Sequence, residues 1–396
     1  MANIKKRNQL IIIILISILF FKSISCQKKD YGNNYNSYNL RKNKALNKSS
    51  KNFFSRKLDG EESLCDGWLN DEDNFHDLNI YIDLSNIEEE LENKPYKELL
   101  INSINKAKGI LESILKIFQG TDPFLSNSDI ISEFEISKWN EKLIGDALTE
   151  RAKGMFYQGY SYIIWFKYAS TDNELGDEIT LAKPVIMDEA CGQPEVGIIT
   201  LRPNYDYSQL SQDYFERYML HQLTHLLVFD DKVLSGSDFE DIFLEEEIEE
   251  HKYKYYIKSN KVTNFAKKYF DCDGITKLEI IKEENGNLHW PSRLLLGEYM
   301  TDFVYPEEQI ISQFTLSLFE DVRYLKLKNK YTGGLMRFGK HKGCNFINKK
   351  CIGEGQFENE FYYPESQNIN EVYTEPSCSS GRLSKTVHIL FLHHIL

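Results

Sequence analysis

The sequence has no excess of positive charge, no hydrophobic run long enough to cross a membrane and no evident internal repeat. Its 47 lysines and arginines face 60 aspartates and glutamates, which gives a formal net charge of −13. A duplex nucleic-acid binder needs a basic surface, so this balance excludes that class. The 396 residues are 41% apolar and 13% aromatic, which excludes wholesale disorder and suffices for one large or two modest globular domains.

The longest apolar run lies near the N-terminus, from Leu10 to Phe21, directly after the basic cluster Lys5–Arg7. It is shorter than the about 20 residues that a membrane-spanning helix needs, which makes an anchoring helix the weaker interpretation. Small residues follow at Ser23–Ser25, the spacing typical of a cleavage site. The sequence therefore predicts a secretory signal peptide over residues 1–25 and an extracellular or cell-surface location.

Charge divides the remaining chain into two unlike parts. Residues 27–58 carry nine lysines and arginines and one acid, Asp30, in a polar stretch rich in Asn, Ser and Tyr. This composition predicts a disordered tail or pro-segment, which we place at residues 26–77. With the four positive charges of the signal segment and the +8 of this stretch set aside, the body from Asp59 onward carries −25. A body with this net charge attracts cations or basic partners, but the charge alone does not indicate a reaction.

Hydrophobic patterns predict the regular elements of the body. Alternation indicates a strand, continuous short apolar runs indicate buried strands, and a three-to-four-residue spacing indicates helices. Beyond Tyr331 the chain is rich in Gly, Asn and Cys and is predicted to be irregular. There Cys344 and Cys351 are candidates for a local disulfide, since a secretory route permits disulfides. The predicted elements are strands at 78–84, 162–168 and 196–201 and helices at 96–118, 211–229 and 313–324.

The helix predicted from Ser211 to Phe229 is the most informative one. Ser211 can cap its N-terminus, and the helix carries His221 and His225. Side chains four residues apart project from one helix face about one turn apart, so both imidazoles can bind one tetrahedral zinc ion. Two histidines at this spacing also arise by chance, and a catalytic zinc site needs a third protein ligand and an open position for water.

Two kinds of residue compete for the role of third ligand. His289 lies beside Trp290 and is followed by Met300, and a methionine beneath the metal characterises one large group of zinc peptidases. The rival is Glu245 or Glu246, in an acidic run that is otherwise interpreted as the solvated face of a helix. Residue spacing alone leaves both open.

The motifs together resemble the leishmanolysin family of secreted or surface zinc metalloendopeptidases, over about Leu78 to Cys378. The resemblance implies Zn²⁺ as cofactor, His221, His225 and His289 as its ligands, Met300 as the methionine of the Met-turn, and protein or peptide substrates. The segments that carry it are HQLTHLLVF (221–229), KVTNFAKKYFDCDGI (261–275), LHW (288–290), GEYMTDF (297–303), SQFTLSLFEDVRYLK (312–326) and YTGGLMRFGKHKGCNFINKKC (331–351).

The resemblance also implies an α+β fold. We expect a metzincin-like zinc metallopeptidase catalytic domain, with a mixed sheet, an active-site helix and a cleft lined by the strand at 196–201. A Cys-containing C-terminal region, truncated relative to the family, would follow. The expected divisions are an N-terminal catalytic subdomain at 78–235, an insertion and Met-turn subdomain at 236–330 and the C-terminal region at 331–396. Cys65 lies before this domain, where a disulfide is a simpler role than control of latency.

Two residues depart from the family pattern. Gln222 stands where the family has the glutamate that takes a proton from the attacking water, and an amide cannot accept that proton near neutral pH. Val228 stands where the family has a glycine, and a β-branched residue at positive φ would be strained. We therefore expect a zinc metalloendopeptidase of reduced activity. The alternative is a catalytically inactive zinc-binding surface or adhesion protein, with association at the cell surface and an oligomeric state that the sequence leaves open.

Overall fold

The computed structural model describes the body of the chain in several ranges. The predicted signal peptide, the basic stretch 27–58, Cys65 and Cys351 lie outside the described residues, and the expectations for them remain predictions. Among the residues that are described, no helix is both long and apolar enough to cross a bilayer. The described ranges are 72–118, 158–171, 174–176, 178–187, 192–235, 242–249, 251–302, 310–328, 336–348, 376–378 and 385–387.

The described elements alternate between helices and strands, which makes this a mixed α+β fold. The strands are β1 Phe75–Asp77, β2 Ile80–Asp83, β3 Leu115–Phe118, β4 Tyr162–Tyr168, β5 Thr180–Met187, β6 Pro194–Leu201, β7 Phe243–Glu249, β8 Lys252–Ile257, β9 Leu278–Lys282, β10 Leu288–His289, β11 Leu325–Leu327, β12 Pro376–Cys378 and β13 Lys385–Val387. The α-helices are α1 Glu88–Leu91, α2 Lys97–Ile114, α3 Gln212–Leu227, α4 Asp231–Leu234, α5 Asn260–Phe270, α6 Ser292–Leu295, α7 Gln313–Asp321 and α8 Gly343–Asn348.

A four-stranded mixed sheet in the order β2-β4-β6-β5 organises the first half of the described chain. Strands β2, β4 and β6 are parallel, and β5 lies antiparallel at one edge. All eight residues of β6 are buried, as expected for an interior strand with an unbroken apolar sequence. The expectation that this strand lines the cleft is wrong, because β5 separates it from that edge of the sheet. Strand β5 alternates buried and half-buried residues, a period-two signal that the sequence analysis missed.

Helices α2 and α3 pack against each other beside this sheet. Leu100, Ile104 and Leu111 of α2 are buried, which confirms its predicted apolar face. The helix predicted to reach Phe118 nevertheless ends at Ile114, and Leu115–Phe118 forms strand β3. Strand β3 lies between β1 and β11, so backbone pairing with two distant segments replaces the last helical turn.

The second half contains an antiparallel sheet in the order β10-β9-β8-β7. The acidic run that includes Glu245 and Glu246 was predicted to be a helix face, and this prediction is wrong. It forms the edge strand β7, where Glu245 lies opposite Tyr255 and Glu246 opposite Lys254 on β8. Opposite charges and aromatic side chains across a strand pair stabilise it, and helical periodicity cannot detect such partners.

A disulfide between Cys272 and Cys344 joins the end of α5 to the start of α8. The predicted local pair of Cys344 with Cys351 is therefore wrong. The bond spans 72 residues of sequence and ties the C-terminal segment onto the core formed by α5 and α7. Phe270, Phe314 and Phe346 cluster beside it, so packing brings these two cysteines together from distant parts of the chain.

Candidate metal centre

Helix α3 is fixed at both ends by side chains. Ser211 caps its N-terminus, where the hydroxyl oxygen accepts from the backbone N–H of Tyr214 at 3.3 Å, as predicted. At the other end the last carbonyl groups have no partner within the helix. Buried tyrosines supply the donors: the hydroxyl of Tyr162 donates to the carbonyl of Leu226 at 2.9 Å, and that of Tyr324 donates to Leu227 at 2.6 Å.

The chain leaves α3 through Val228, for which the sequence analysis expected strain if the glycine position of the family requires a positive φ. Val228 has a φ of −145° and a ψ of −42°, so it does not adopt the left-handed conformation. The next carbonyl, that of Phe229, accepts from Nδ1 of His225 at 2.7 Å and from the backbone N–H of Leu288 at 2.9 Å. One carbonyl thus orients a histidine of the helix and anchors the strand that carries His289.

Met300 lies on a segment that runs beside this strand. It is fully buried, and its carbonyl accepts from the backbone N–H of Trp290 at 2.8 Å. The preceding carbonyl, that of Tyr299, accepts from Nδ1 of His221 at 2.7 Å. Beneath the turn, the buried carboxyl group of Glu298 accepts from the backbone N–H of Met300 and, at 2.6 Å, from the hydroxyl of Thr315. The segment that contains Met300, the candidate Met-turn, therefore orients one histidine and is itself held by a buried acid.

The structure brings together the three histidines that the sequence analysis selected. Nε2 of His221 lies 2.9 Å from Nε2 of His225 and 3.0 Å from Nε2 of His289. One ring nitrogen from each lies within 4.8 Å of the other two, and all three residues are buried. Among the described residues this is the one group of three or more His, Cys, Asp and Glu side chains close enough to share a metal ion. Glu245 and Glu246, the rival ligands, lie outside the group.

The partners of the outer ring nitrogens indicate which tautomers the histidines adopt. In His221 and His225, Nδ1 faces a carbonyl oxygen, which can only accept, so Nδ1 carries the hydrogen. Nε2 of each ring then presents a bare lone pair, and two lone pairs 2.9 Å apart repel each other. Carbonyl groups that fix the outer nitrogen are the usual partners of metal-binding histidines. These residues fit a metal ion.

The spacing is compatible with a tetrahedral ion such as zinc. Ligands about 2.0–2.1 Å from a tetrahedral ion lie about 3.3 Å from one another. The observed separations of 2.9 and 3.0 Å are a few tenths of an ångström shorter. Burial also lowers the pKa of His221 to about 4 and holds the pKa values of His225 and His289 well below their usual range. The rings are neutral at physiological pH, as metal ligands must be.

A cavity of about 170 Å³ opens beside the histidines. Gln222 lines it and is only 4% exposed, and its side-chain oxygen has no hydrogen-bond partner within the described part of the chain. Asn287, 3% exposed, lines the cavity as well, and its side-chain oxygen is unsatisfied in the same way. Buried acceptors without partners are uncommon and mark a place where a ligand or water binds.

Three carboxyl groups, Glu178, Glu283 and Asp302, also line this cavity, together with the hydroxyl groups of threonines and tyrosines. Burial, with the nearby charge of Glu178 as the next cause, raises the pKa of Glu283 to about 7. One oxygen of Glu283 lies 3.3 Å from Nδ1 of His289, close enough for attraction but outside hydrogen-bond geometry. Asp302 accepts from the backbone N–H and the hydroxyl of Ser292, and burial raises its pKa.

Comparison with known proteins agrees with this geometry. The sequence model of the leishmanolysin family matches residues 163–390, more than half of the chain. The chain belongs to the leishmanolysin family. Its members are zinc-dependent metallopeptidases, and the matched range contains all three clustered histidines. A search of curated proteins returned no match.

Helical spacing and the family resemblance led to the three histidines of this leishmanolysin-family chain, to Gln222 and to Met300, but not to the groups that orient or surround them. The carbonyl groups of Phe229 and Tyr299 carry no side-chain signal, because any residue supplies a backbone oxygen. Asp302 lies in the quoted GEYMTDF segment and could have been noted there. Glu178 and Glu283 lie in no motif, so only the folded chain places them at the cavity.

Proposed function

We propose that the chain is a zinc metallopeptidase of the leishmanolysin family that hydrolyses peptide bonds with reduced activity. In this proposal His221, His225 and His289 hold one Zn²⁺ ion. The observation that carries the proposal is the pair of facing lone pairs at 2.9 Å, each fixed by a carbonyl group behind its ring. Such an arrangement is unfavourable unless a cation lies between the nitrogens.

Zinc, when bound, would polarise a peptide carbonyl and lower the pKa of water in its open coordination position. The protein's own part is to orient the reactants. Gln222 lines the cavity, and its side-chain oxygen can accept a hydrogen bond from an attacking water. It cannot take the proton, and loss of a positioned general base typically slows a reaction about 10²–10⁴-fold.

Strand β5 suggests how a peptide would bind. It is the outer strand of the mixed sheet, paired with β6 along one side only within the described residues. Thr180, at its start, lines the cavity beside the histidines. An extended peptide can add to such an edge through backbone hydrogen bonds, which would place it across the cleft in the manner of metzincins.

The second candidate function is a zinc-binding surface or adhesion protein without catalysis. The observation that favours it is the amide at position 222, which cannot take the proton that the family's glutamate takes. Both candidates share the metal site and differ in the chemical step alone.

One experiment separates the two candidates. We would purify the wild type and Gln222→Glu, measure zinc by mass spectrometry and follow cleavage of a quenched-fluorescent peptide library. We expect about one zinc per chain in both proteins and a rise in peptidase rate of at least about 10²-fold in the variant. Gln212→Glu is the matched control, since it adds the same charge to the same helix at an exposed position.

The outcomes distinguish the candidates clearly. Zinc without any cleavage by Gln222→Glu would contradict the peptidase proposal and favour the non-catalytic one. A chain that holds no zinc would contradict both. An equal gain in Gln212→Glu would show that the effect is one of charge and not of a general base.

We further propose that the chain enters the secretory pathway and acts outside the cell or at its surface. The disulfide between Cys272 and Cys344 supports this, because such bonds persist in oxidising compartments. Removal of the predicted signal segment before expression in eukaryotic cells should abolish secretion into the medium, measured by immunoblot.

A further inference from the structure

The three histidines differ in how the outer nitrogen of each ring is held. Nδ1 of His221 donates to the carbonyl of Tyr299 at 2.7 Å. Nδ1 of His225 donates to the carbonyl of Phe229 at the same distance. Nδ1 of His289 is buried and has no hydrogen-bond partner among the described residues. Since His289 also lies on the two-residue strand β10, it depends most on a further group to orient its ring.

A carboxyl group lies beside this unpaired nitrogen. Oε1 of Glu283 is 3.3 Å from Nδ1 of His289. The side chain of His289 is 6% exposed and that of Glu283 is 30% exposed, so both groups are largely removed from water. A hydrogen bond to an ionised acceptor is stronger than one to a carbonyl group, and more so where water is scarce. The contact therefore matches the missing partner in chemistry and in place.

The hairpin of β9 and β10 places the two side chains on one face. His289 pairs with Ile281 on β9. Pairing continues past the strand ends, because the backbone N–H of Glu283 donates to the carbonyl of Asn287 at 2.9 Å. Residues two apart on a strand share a face, so Glu283 lies diagonally across from His289. Diagonal neighbours are about 7–8 Å apart, within reach of long side chains. Local register thus brings this acid to this ring.

The tip of the hairpin is anchored to the chain that follows helix α3. Gly286 has a φ of 94°, and its carbonyl accepts from the backbone N–H of Asp231 at 2.9 Å. A Cβ atom at Gly286 would lie 2.5 Å from Oδ1 of Asp231, so this approach requires glycine. Nδ2 of Asn285 donates to Oε2 of Glu283 at 2.8 Å, which holds the carboxyl group with Oε1 toward His289. The hairpin itself therefore positions the acid.

We propose that Glu283 is a positioning residue of the candidate metal centre, and that it accepts a hydrogen bond from Nδ1 of His289 when zinc is bound. This inference rests on the proposed function. Nε2 of His289 faces Nε2 of His221 at 3.0 Å, and a ring that binds an ion through Nε2 carries its hydrogen on Nδ1. A carboxylate behind such a ring fixes its orientation and raises the basicity of the ligand.

The charge of Glu283 distinguishes it from the two carbonyl partners. Three neutral imidazoles leave the double positive charge of a zinc ion uncompensated. A carboxylate hydrogen-bonded to one ring offsets part of that charge, whereas the carbonyl groups of Tyr299 and Phe229 supply only dipoles. Loss of Glu283 should therefore weaken zinc binding even though the three rings remain.

Zinc affinity of the full chain gives the first test, measured by competition with a chelating dye at one fixed pH. We expect Glu283→Ala to lose about 10–100-fold in affinity, the usual cost of removing the partner of a metal-binding histidine. Glu283→Gln keeps the size of the side chain but not its charge, and should show an intermediate loss. Glu284→Gln is the matched control: it removes one exposed acid from the same turn and should bind zinc like the wild type.

A spectroscopic signature separates positioning from a general effect on folding. With ¹⁵N-labelled histidine, the zinc-loaded wild type should show a downfield, slowly exchanging imidazole N–H resonance that is absent from Glu283→Ala and present in Glu284→Gln. The N–H groups of His221 and His225 donate to carbonyl groups, so their resonances should remain in every variant. Thermal melts of the metal-free proteins check that the variants fold.

Each outcome decides the proposal. Equal zinc affinity of the wild type and Glu283→Ala overturns it, and so does an equal loss in Glu284→Gln and Glu283→Gln. A weaker affinity of Glu283→Ala with every imidazole N–H resonance retained overturns the hydrogen bond to His289. A wild type that binds no zinc overturns the proposed metal site and this inference with it. Zinc binding that is indifferent to residue 283 leaves the proposed function standing.

Discussion

The two halves of the described chain position the three histidines of the candidate metal centre by different means. Up to residue 235, long elements dominate, and one 16-residue helix delivers both His221 and His225. After residue 242, short strands and turns dominate, and His289 lies on a two-residue strand. Backbone hydrogen bonds to Phe229 and Met300 hold the residues on either side of it. The first half positions ligands through local helical geometry, and the second does so through contacts between distant segments.

This difference indicates which substitutions should disturb the site. A helix keeps two side chains four residues apart on one face whatever surrounds it. A short strand keeps its side chain in place only while its neighbours are folded. We therefore expect changes in the second half to affect the candidate metal centre as well as global stability, and changes in the first half away from His221 and His225 to affect global stability alone.

The largest expected effect is on zinc binding by His289→Ala. Structural zinc sites gain about 10–16 kcal/mol, so one of three ligands should contribute about 4 kcal/mol, or a loss in affinity of about 1,000-fold. Competition with a chelating dye measures the affinity. His76→Ala, a change at an exposed histidine, is the control and should bind like the wild type. Unchanged affinity in His289→Ala would refute the ligand set and the role given to the second half.

The next effect concerns the buried carboxyl group of Glu298 beneath the Met-turn. Burial raises its pKa to about 7, above the 4.5 of an unperturbed glutamate. The folded state thus holds the proton more tightly, so the stabilisation is present below pH about 4.5 and is lost as pH rises through 7. The loss should reach about 3 kcal/mol in the free energy of unfolding.

Chemical denaturation of the metal-free protein at several pH values tests this. Glu298→Gln cannot titrate, so its stability should fall less than that of the wild type between pH 4.5 and 7. Glu98→Gln, at an exposed position of α2, should follow the wild type. Parallel curves for the wild type and Glu298→Gln would show that this carboxyl group is not a source of the pH dependence.

The smallest effects are expected in the first half, from two glycines. A Cβ atom at Gly197 on β6 would lie 2.8 Å from the hydroxyl of Tyr162 and 2.9 Å from the side chain of Leu226 on α3. Gly197→Ala should therefore destabilise the fold by about 1–3 kcal/mol. Gly109 on α2 has nothing within 4 Å of that position, so Gly109→Ala should stabilise it by about 0.5–1 kcal/mol.

Urea denaturation gives the free energy of unfolding of both variants. Their zinc affinity is then compared with that of His289→Ala in the second half. We expect neither alanine to change zinc affinity in the folded protein by more than about twofold, since neither touches a histidine. A stabilising Gly197→Ala would contradict the close contact between β6 and α3.

Much of the first half was predictable because its signals are local. The strand Tyr162–Tyr168 was predicted with its observed bounds, and the observed helix Gln212–Leu227 lies within the predicted 211–229 with Ser211 as its cap. The errors occurred where distant partners decide the conformation. The end of the helix predicted to reach Phe118 became β3 because two remote strands pair with it. The acidic run around Glu245 became β7 because β8 lies opposite.

The residues of the candidate site also divide into those that local sequence predicts and those that it does not. The residues themselves gave the pair His221 and His225, since helical spacing is a property of the sequence. The family resemblance was needed to select His289 over Glu245, because no local rule connects residues 64 positions apart in the sequence. The disulfide partner of Cys344 was missed for the same reason.

The sequence by itself determined the acidic charge of the body, the helix with its two histidines and the amide at position 222. These depend on composition and on neighbours along the chain, and both can be read directly. Only the tertiary structure decided which carbonyl groups fix the ring nitrogens, which strand forms the edge of the sheet and which acids surround the cavity. Those features arise when segments far apart in sequence exclude water together, and burial then sets both the contacts and the pKa values of the groups involved.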